Sequence, residues 1–363
     1  MKDLALEILN IIYNYGYKAY IVGGYVRDSL LNIESKDIDI TTNATPMELK
    51  NIFPNEEIIN SAYGSITLFY KNNKFEITTF RKEEDYLDNR HPSRIIYIND
   101  LFEDLQRRDF TINALCIDKD NNFLDLIDGK KDLDNHLIKT IGDSDISFKQ
   151  DALRILRAIR FASYLDFKLS DDVKKAIVEN KHLLKNISYT RKKQELDKIF
   201  GSNKAYEGIK LLKDFSLDEE LELINIDRVK DYSDIVGIWA MINTNVYNFT
   251  SSEKELIEKI NEVYELDNLD SEVLYKYGSY VNVIAGINKG LKKKDILEKY
   301  ESLPIKNRDD IKITAQEICQ ILKKTAGPFI GIIYQNLETK ILHNELINEN
   351  SKIIEYIKEN ENG

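Results

Sequence analysis

Cysteine, histidine and proline are scarce in this chain, at 2, 4 and 5 of 363 residues. Cys116 and Cys319 lie roughly 200 positions apart, which offers neither a disulfide framework nor a CxxC metal clip, and both are expected to be buried small hydrophobes. With so few prolines, 42% apolar and 31% charged residues, the composition is not disordered, collagenous or mucin-like. Long hydrophobic runs are missing as well. Stretches such as Ile235 to Ile242 fall far short of the roughly 18 to 20 residues that a membrane span needs. The opening MKDLALEILN carries acids inside its apolar periodicity and no small-residue cleavage site, so it reads as a short helix and the protein is expected in the cytoplasm. No GxxxxGK[ST] segment occurs, which sets aside a P-loop phosphotransferase. Net positive charge is lacking too, the formal balance being −11, yet it is unevenly spread: residues 1 to 150 hold 18 basic and 26 acidic side chains, 151 to 200 hold 12 and 7, and 201 to 363 hold 21 and 29. One basic waist on an acidic protein can dock a polyanion there and repel it elsewhere, although a solvated helical face explains the same charges.

The length exceeds one usual folding unit, so at least two domains are expected. Residues 1 to 150 mix strand and helix patterns and the remainder reads as helical, an α+β organisation. Lys18 to Val22 predicts a strand leading into Gly23-Gly24, then a short helix over Val26 to Leu31 and a second strand over Asp37 to Thr41. Alternation recurs at 65–69, 74–80, 94–98, 113–118 and 123–126. From Gln150 onward apolar residues recur at three and four spacing, as at Leu153, Leu156 and Ile159. Junctions between helical parts are expected near 224–234 and 263–274.

Asp37 and Asp39 are one residue apart in the predicted strand, so both carboxylates are expected on one face, where they can grip a hard divalent cation. Such pairs also arise by chance in any acidic chain. The preceding Gly23-Gly24-Tyr25-Val26-Arg27-Asp28 predicts a glycine turn opening a helix, whose free N–H groups suit phosphate while Arg27 adds charge. Together these fit a triphosphate and two magnesium ions against a sheet edge, with in-line attack of a hydroxyl on the α-phosphate. Glu76, on a later predicted strand, offers a third carboxylate or is a surface residue. Asp151 and Arg154, three apart on a predicted helix, can share a face. An aspartate oxygen accepts from the exocyclic amine of cytosine or adenine and is repelled by the carbonyl of uracil or guanine, and Arg154 donates to the adjoining ring acceptor. A surface salt bridge is the alternative. Arg157 and Arg160 continue along that helix.

Gly23-Gly24-x-x-Arg27-Asp28, Asp37-x-Asp39, Arg107-Arg108-Asp109-Phe110-Thr111-Ile112-Asn113-Ala114, Asp125 with Gly129, Gln150-Asp151-Ala152-Leu153-Arg154, Arg191 with Glu195, and the tail segments Leu303-Pro304-Ile305-Lys306 and Gly327-Pro328-Phe329-Ile330-Gly331 together resemble the class II tRNA nucleotidyltransferases, the template-free CCA-adding enzymes, with bacterial poly(A) polymerases as close relatives. The resemblance spans essentially the whole chain. It implies a DNA polymerase β-like nucleotidyltransferase head at 1–138, a helical neck reading the base at 139–200, a helical body at 201–270 and a helical, tRNA-binding tail at 271–363, in a curved molecule. The implied reaction is addition of CMP, CMP and AMP from CTP and ATP to the tRNA 3′ end, with pyrophosphate released. Asp37 and Asp39 are implied as the catalytic Mg2+ ligands. Gly23, Gly24, Arg27, Arg108, Asp109, Asn113, Asp151, Arg154, Arg157 and Arg160 are implied as nucleotide-binding, with Asp109 accepting from the ribose 2′-hydroxyl or capping a helix start, and Asn113 orienting its neighbours.

Arg81 to Gln106 is polar and weakly periodic, and by similarity it is the flexible element of C-to-A switching, present undeleted. Three departures stand out: Gln150 where the family has Glu, Arg90-His91 where two arginines are common, and Ala315 where the tail often has Gly. The appended metal-dependent hydrolase domain of some relatives is not expected with only His91, His136, His182 and His343. The basic neck and Lys289, Lys292, Lys293 and Lys294 are the candidates for tRNA phosphates, the lysine run being equally readable as a solvated helix end. No protein or membrane partner is evident. A poly(A) polymerase, a CC-only or A-only enzyme, and a catalytically idle tRNA-binding protein remain as rivals.

Overall fold

The computed structural model describes residues 1–35, 37–60, 64–86 and 92–360. The chain folds as two compact units, Met1–Glu222 and Leu223–Gly363. The first unit opens with α1 (Lys2–Asn14), β1 (Ala19–Val22), α2 (Gly24–Leu30), β2 (Asp39–Thr42) and α3 (Pro46–Ile52). It continues through β3 (Glu57–Asn60), β4 (Ser65–Tyr70), β5 (Asn73–Thr79), β6 (Arg81–Tyr86), β7 (Pro92–Tyr97) and α4 (Leu101–Gln106). After a 3-10 turn at Thr111–Asn113 come β8 (Cys116–Ile117), β9 (Phe123–Leu124), α5 (Gly129–Asp134) and β10 (Leu137–Ile138). Then follow α6 (Ser144–Gln150), α7 (Leu153–Leu165), β11 (Lys168–Leu169), α8 (Asp171–Asn180), α9 (Tyr189–Phe200), α10 (Ala205–Asp214) and α11 (Leu217–Glu220).

Seven strands form one mixed sheet in the order β3-β4-β5-β2-β1-β8-β9, in which β2 and β5 run parallel. The alternation read from the sequence sets its two faces. In β5, Phe75, Ile77 and Thr79 point inward and Lys74 and Glu76 outward. Leu101 and Leu105, one helical turn apart, press α4 onto Val22 and Cys116 of the sheet and onto Phe80 just after β5. The helix starts carry their own signals: Thr45 and Glu48 form a reciprocal capping box at α3, and the Asp100 carboxylate accepts from Glu103 N–H at α4.

Several expectations need correction. The strand expected over 37–41 begins only at Asp39, so Asp37 precedes β2 in the approach to it. Arg81 to Gln106, weakly periodic in sequence, carries more regular structure than the strand expected at 94–98: among the described residues β6 and β7 form an antiparallel ladder and α4 follows. The Asp88-Asn89-Arg90-His91 part of that segment lies outside the described residues. Asp151 is not on a helix either. It sits in the break between α6 and α7 with φ −139 and ψ 97, because its Oδ1 takes the N–H of Leu153 at 3.0 Å. The strand expected over 113–118 shrinks to β8, Asn113 lying in the 3-10 turn.

The second unit is helical among its described residues: α12 (Ile235–Ile242), α13 (Ser251–Glu265), α14 (Ser271–Asn288), α15 (Lys293–Glu301), α16 (Ala315–Leu322), α17 (Phe329–Leu342) and α18 (Asn350–Asn360). The apolar run of α12 is a core helix with Trp239 fully buried. Cys319 of α16 is only half-buried, against expectation, whereas Cys116 is buried. Lys289 is not a solvated lysine, since its Nζ donates to the carbonyls of Tyr264, at 3.0 Å, and Leu266. No described helix is long and apolar enough to cross a membrane.

Candidate active site

A cleft of about 980 Å³ in the first unit collects nearly every polar residue singled out above. One wall is formed by the central strands of the sheet, with Asp39 at the start of β2 and Lys74 and Glu76 on the outward face of β5. The other is α7 with the α6–α7 break, and between them run Arg107, Arg108 and Asp109.

Asp39 pairs with Val22 of β1 on one side and with Glu76 of β5 on the other. Ile38 is buried while Asp37 and Asp39 are exposed, so both carboxylates open toward the cleft even though only Asp39 is in the ladder. Neither hydrogen-bonds to nor ion-pairs with another described residue. Burial within the cleft pushes the Asp39 carboxyl up; Arg108 and Arg157 pull against that, and Glu76 and Asp37 add to it. Glu76 stands across from Asp39 but ion-pairs with Lys74 at 3.0 Å. No group of three or more His, Cys, Asp or Glu among the described residues forms a cage for a metal ion. Two hard oxygen donors left without protein partners nevertheless fit magnesium, which is commonly held by one or two carboxylates together with substrate phosphates.

Gly23 sits at φ +87 as the N-cap of α2, and a Cβ there would come within 3.4 Å of Asp39 Oδ2. A glycine is needed for that backbone angle, while the Asp39 contact alone would be an ordinary one. Gly24 begins the helix, which buries Arg27. The Arg27 guanidinium donates from Nε to Asp28 at 2.8 Å and from Nη1 to Asn113 Oδ1 at 2.6 Å. Asn113 in turn donates to Asp109 Oδ1 at 3.1 Å, and Asp109 Oδ2 accepts from Arg157 Nε at 2.7 Å. A continuous relay therefore ties α2 to α7 through the Asp109–Asn113 segment. Burial alone would raise the Asp109 carboxyl, but Arg157 and Asn113 outweigh it and hold it down at about 2.

Arg157 lies with Arg27 and Arg160 around one ring, Phe161, at 5.4, 4.9 and 4.4 Å from its centroid. Arg160 pairs with Glu195 of α9 at 3.1 Å, and burial lowers it to about 10, with Glu195 opposing and Arg157 adding to the fall. Arg154 is buried, donating to Ser147 Oγ and to the Arg107 carbonyl, both at 2.7 Å. It meets Asp151 at the cleft wall, not by helical spacing but because Arg154 N–H bonds the Asp151 carbonyl across the break. Arg108 reaches the cleft between the two walls, and its Nε is buried without a hydrogen-bond partner.

The sequence reading missed Asp104. Its side chain is fully buried, yet it accepts from Arg107 Nε at 2.9 Å, Arg108 Nη2 at 3.2 Å, Thr41 Oγ1 at 3.1 Å and Arg81 N–H at 3.2 Å. Burial alone would raise the Asp104 carboxyl, but Arg107, Arg108 and the Arg81 N–H outweigh it and hold it below its ordinary range.

Known proteins match this arrangement along the whole chain. The model of the poly A polymerase head domain matches residues 19–139, that of the RNA and SrmB-binding site of polymerase A residues 166–223, and that of tRNA nucleotidyltransferase domain 2 residues 244–357. The CCA-adding enzyme of Bacillus licheniformis is 33% identical, with 98% of each chain covered. The chain belongs to the CCA-adding enzyme family. The enzyme of Staphylococcus haemolyticus is 34% identical over 98% of this chain and 97% of its own. Among solved structures, the Bacillus stearothermophilus CCA-adding enzyme in complex with CTP superposes with a TM-score of 0.81 at 26% identity, covering 98% of this chain and 96% of that one. As a member of this family the chain is a tRNA nucleotidyltransferase, and the expected α+β head with a helical remainder is the family fold.

Proposed function

We propose that this chain extends the tRNA 3′ end by C, C and A, drawing on CTP and ATP and releasing pyrophosphate, with the cleft of the first unit as the reaction site. The observation that carries this reading is the pair Asp37 and Asp39, unpartnered and open to a cleft whose opposite wall bears Asp151 and Arg154. The two carboxylates would hold Mg2+. When bound, the metal lowers the pKa of the attacking 3′-hydroxyl and offsets charge on the triphosphate.

The chain's own residues supply position. Backbone N–H groups at Gly23-Gly24 and the guanidinium of Arg108, which lines the cleft, would meet the phosphates. Arg157 and Arg160, stacked on Phe161, present oriented donors with little side-chain freedom left to lose. At the base, Asp151 accepts the exocyclic amine shared by cytosine and adenine, and Arg154 donates to the adjoining ring nitrogen, each good contact contributing about 1–3 kcal/mol against the wrong base. All four acceptor positions of Asp109 are taken, by Phe110 N–H, Asn113 and two N–H groups of Arg157. Contact with the ribose 2′-hydroxyl therefore requires one Arg157 N–H to turn to the ligand. The assignment of 1–138, 139–200, 201–270 and 271–363 to head, neck, body and tail, with Lys292, Lys293 and Lys294 meeting tRNA phosphates, belongs to this proposal. The 12 basic against 7 acidic residues over 151–200 support the neck's part in it.

The test is incorporation of labelled nucleotides into tRNA ending before CCA, with CTP, ATP or both. The wild type should add two C from CTP alone and one further A when ATP is present. The Asp37→Ala, Asp39→Ala double variant should lose at least about 10³-fold in rate, the loss of several kcal/mol of charge stabilisation. Unlimited A addition to generic RNA, or equal rates for the two proteins, overturns the reading.

A further inference from the structure

Asp104 touches no part of the cleft surface, yet it is the point on which three elements converge. It stands on α4, receives the Thr41 hydroxyl from β2, two positions beyond Asp39, and receives Arg81 N–H from the start of β6. Arg107 and Arg108 follow at three and four positions, both ion-paired to it at 2.8 and 3.2 Å. A fully buried carboxylate is costly unless saturated, and here five donor atoms saturate it. The result at the cleft is specific. Arg108, anchored by Nη2, keeps its buried Nε without a partner while lining the same cavity as Asp37 and Asp39. A guanidinium N–H left unpaired in a buried position is a standing cost unless an anion meets it.

We propose that Asp104 is a positioning residue for the triphosphate: locked to β2 and β6, it fixes Arg108 so that the guanidinium meets the nucleotide's phosphates beside Asp37 and Asp39. This rests on the cleft being the nucleotide site as proposed above. Asp104 meets no ligand itself and acts through Arg108.

The distinguishing experiment is a double-mutant cycle on the full-length protein, read by calorimetric binding of CTP with Mg2+, and of CMP as the ligand lacking a triphosphate. Asp104→Asn keeps the side chain's size and loses the charge. It should weaken CTP binding about tenfold and CMP binding less than about twofold. In the Arg108→Ala background, the same substitution should change CTP binding less than about twofold. Equal weakening of CTP and CMP, full additivity with Arg108→Ala, or unchanged CTP affinity overturns the proposal. If Asp104→Asn fails to fold, judged by circular dichroism, Thr41→Val removes one anchor and keeps the carboxylate. It should weaken CTP binding roughly two- to fourfold with CMP unchanged, and unchanged CTP binding again overturns the proposal. Failure of the wild type to bind CTP would instead refute the nucleotide site.

Discussion

Gly129 offers a severe test of how the site is supported. It is the first residue of α5, its N–H accepted by Asp125 Oδ1 at 3.0 Å, and a Cβ added there would lie 2.2 Å from the carbonyl oxygen of Thr111 and 3.0 Å from Leu115 Cδ2. Ordinary contact begins at 3.4 Å, so Gly129→Ala must part α5 from the 3-10 turn by 1.2 Å, the difference of the two distances. The atom in the way is backbone and cannot swing aside. That turn carries Asn113, whose 2.6 Å bond from Arg27 and 3.1 Å bond to Asp109 do not survive such a displacement. Alanine gains about 0.5–1 kcal/mol over glycine in a helix, overpacking costs about 1–3 kcal/mol, and a buried charged hydrogen bond is worth about 1.5–3 kcal/mol. The clash wins, for a net loss of about 1.5–5.5 kcal/mol and a fall in melting temperature of roughly 3–22 °C. Because misplacement of about 1 Å can cost 10²-fold, nucleotide incorporation should fall by about that factor. The control is Gly331→Ala in α17, with nothing within 4 Å of its Cβ, which should gain about 0.5–1 kcal/mol. Gly129→Ala melting at or above the wild type with kcat/KM within twofold would refute the reasoning.

Two further predictions concern titratable groups. Asp109 is held at about 2, below its ordinary 3.8, so its ionised form contributes stability that is complete above the ordinary value and lost as pH falls through the folded one. The contribution is about 2 kcal/mol. The difference in urea midpoint between wild type and Asp109→Asn should narrow between about pH 4 and pH 2, and a pH-independent difference would count against the pairing with Arg157. Burial pushes the Cys116 thiol up to about 12, whereas Cys319 is half-buried. Iodoacetamide at about pH 8 should label Cys319 in the native protein and Cys116 only after unfolding, as peptide mass spectrometry would read, and equal labelling rates would refute it.

What the sequence could reveal was whatever depended on short spacing. The period-two alternation at 74–80 located β5, and Gly23-Gly24 located a turn beside the carboxylate pair. Asp151 and Arg154 line the same cleft but do not share a helix face, because Gln150-Asp151-Ala152 contains neither glycine nor proline to announce the break in which Asp151 accepts from Leu153 N–H. Asp104 went unread because an acid on a short helix resembles a solvent residue. A signal was there: Leu101, Asp104, Leu105 and Arg108 fall at i, i+3, i+4 and i+7, the stripe that faces a core, so an acid within it has to be paired. The Arg160–Glu195 and Arg157–Asp109 pairs join residues tens of positions apart, and no local pattern encodes them.

The same pairs explain how a chain of net charge −11 can receive a polyanion. Ten basic and eight acidic side chains line the cleft, so a large excess of positive charge is not what would hold a triphosphate there. Three arginines crowd one phenylalanine ring, and each carries its own carboxylate: Arg27 has Asp28, Arg157 has Asp109 and Arg160 has Glu195. Without those partners the guanidiniums would repel one another and splay into solvent. With them, the N–H groups are fixed in direction before any ligand arrives, and little reorganisation remains for the moment of binding. The carboxylates that lower the net charge of the cleft are thus the groups that aim its donors. Asp37 and Asp39 differ in that neither hydrogen-bonds to nor ion-pairs with another described residue, which is the arrangement a site needs if divalent cations are to complete it.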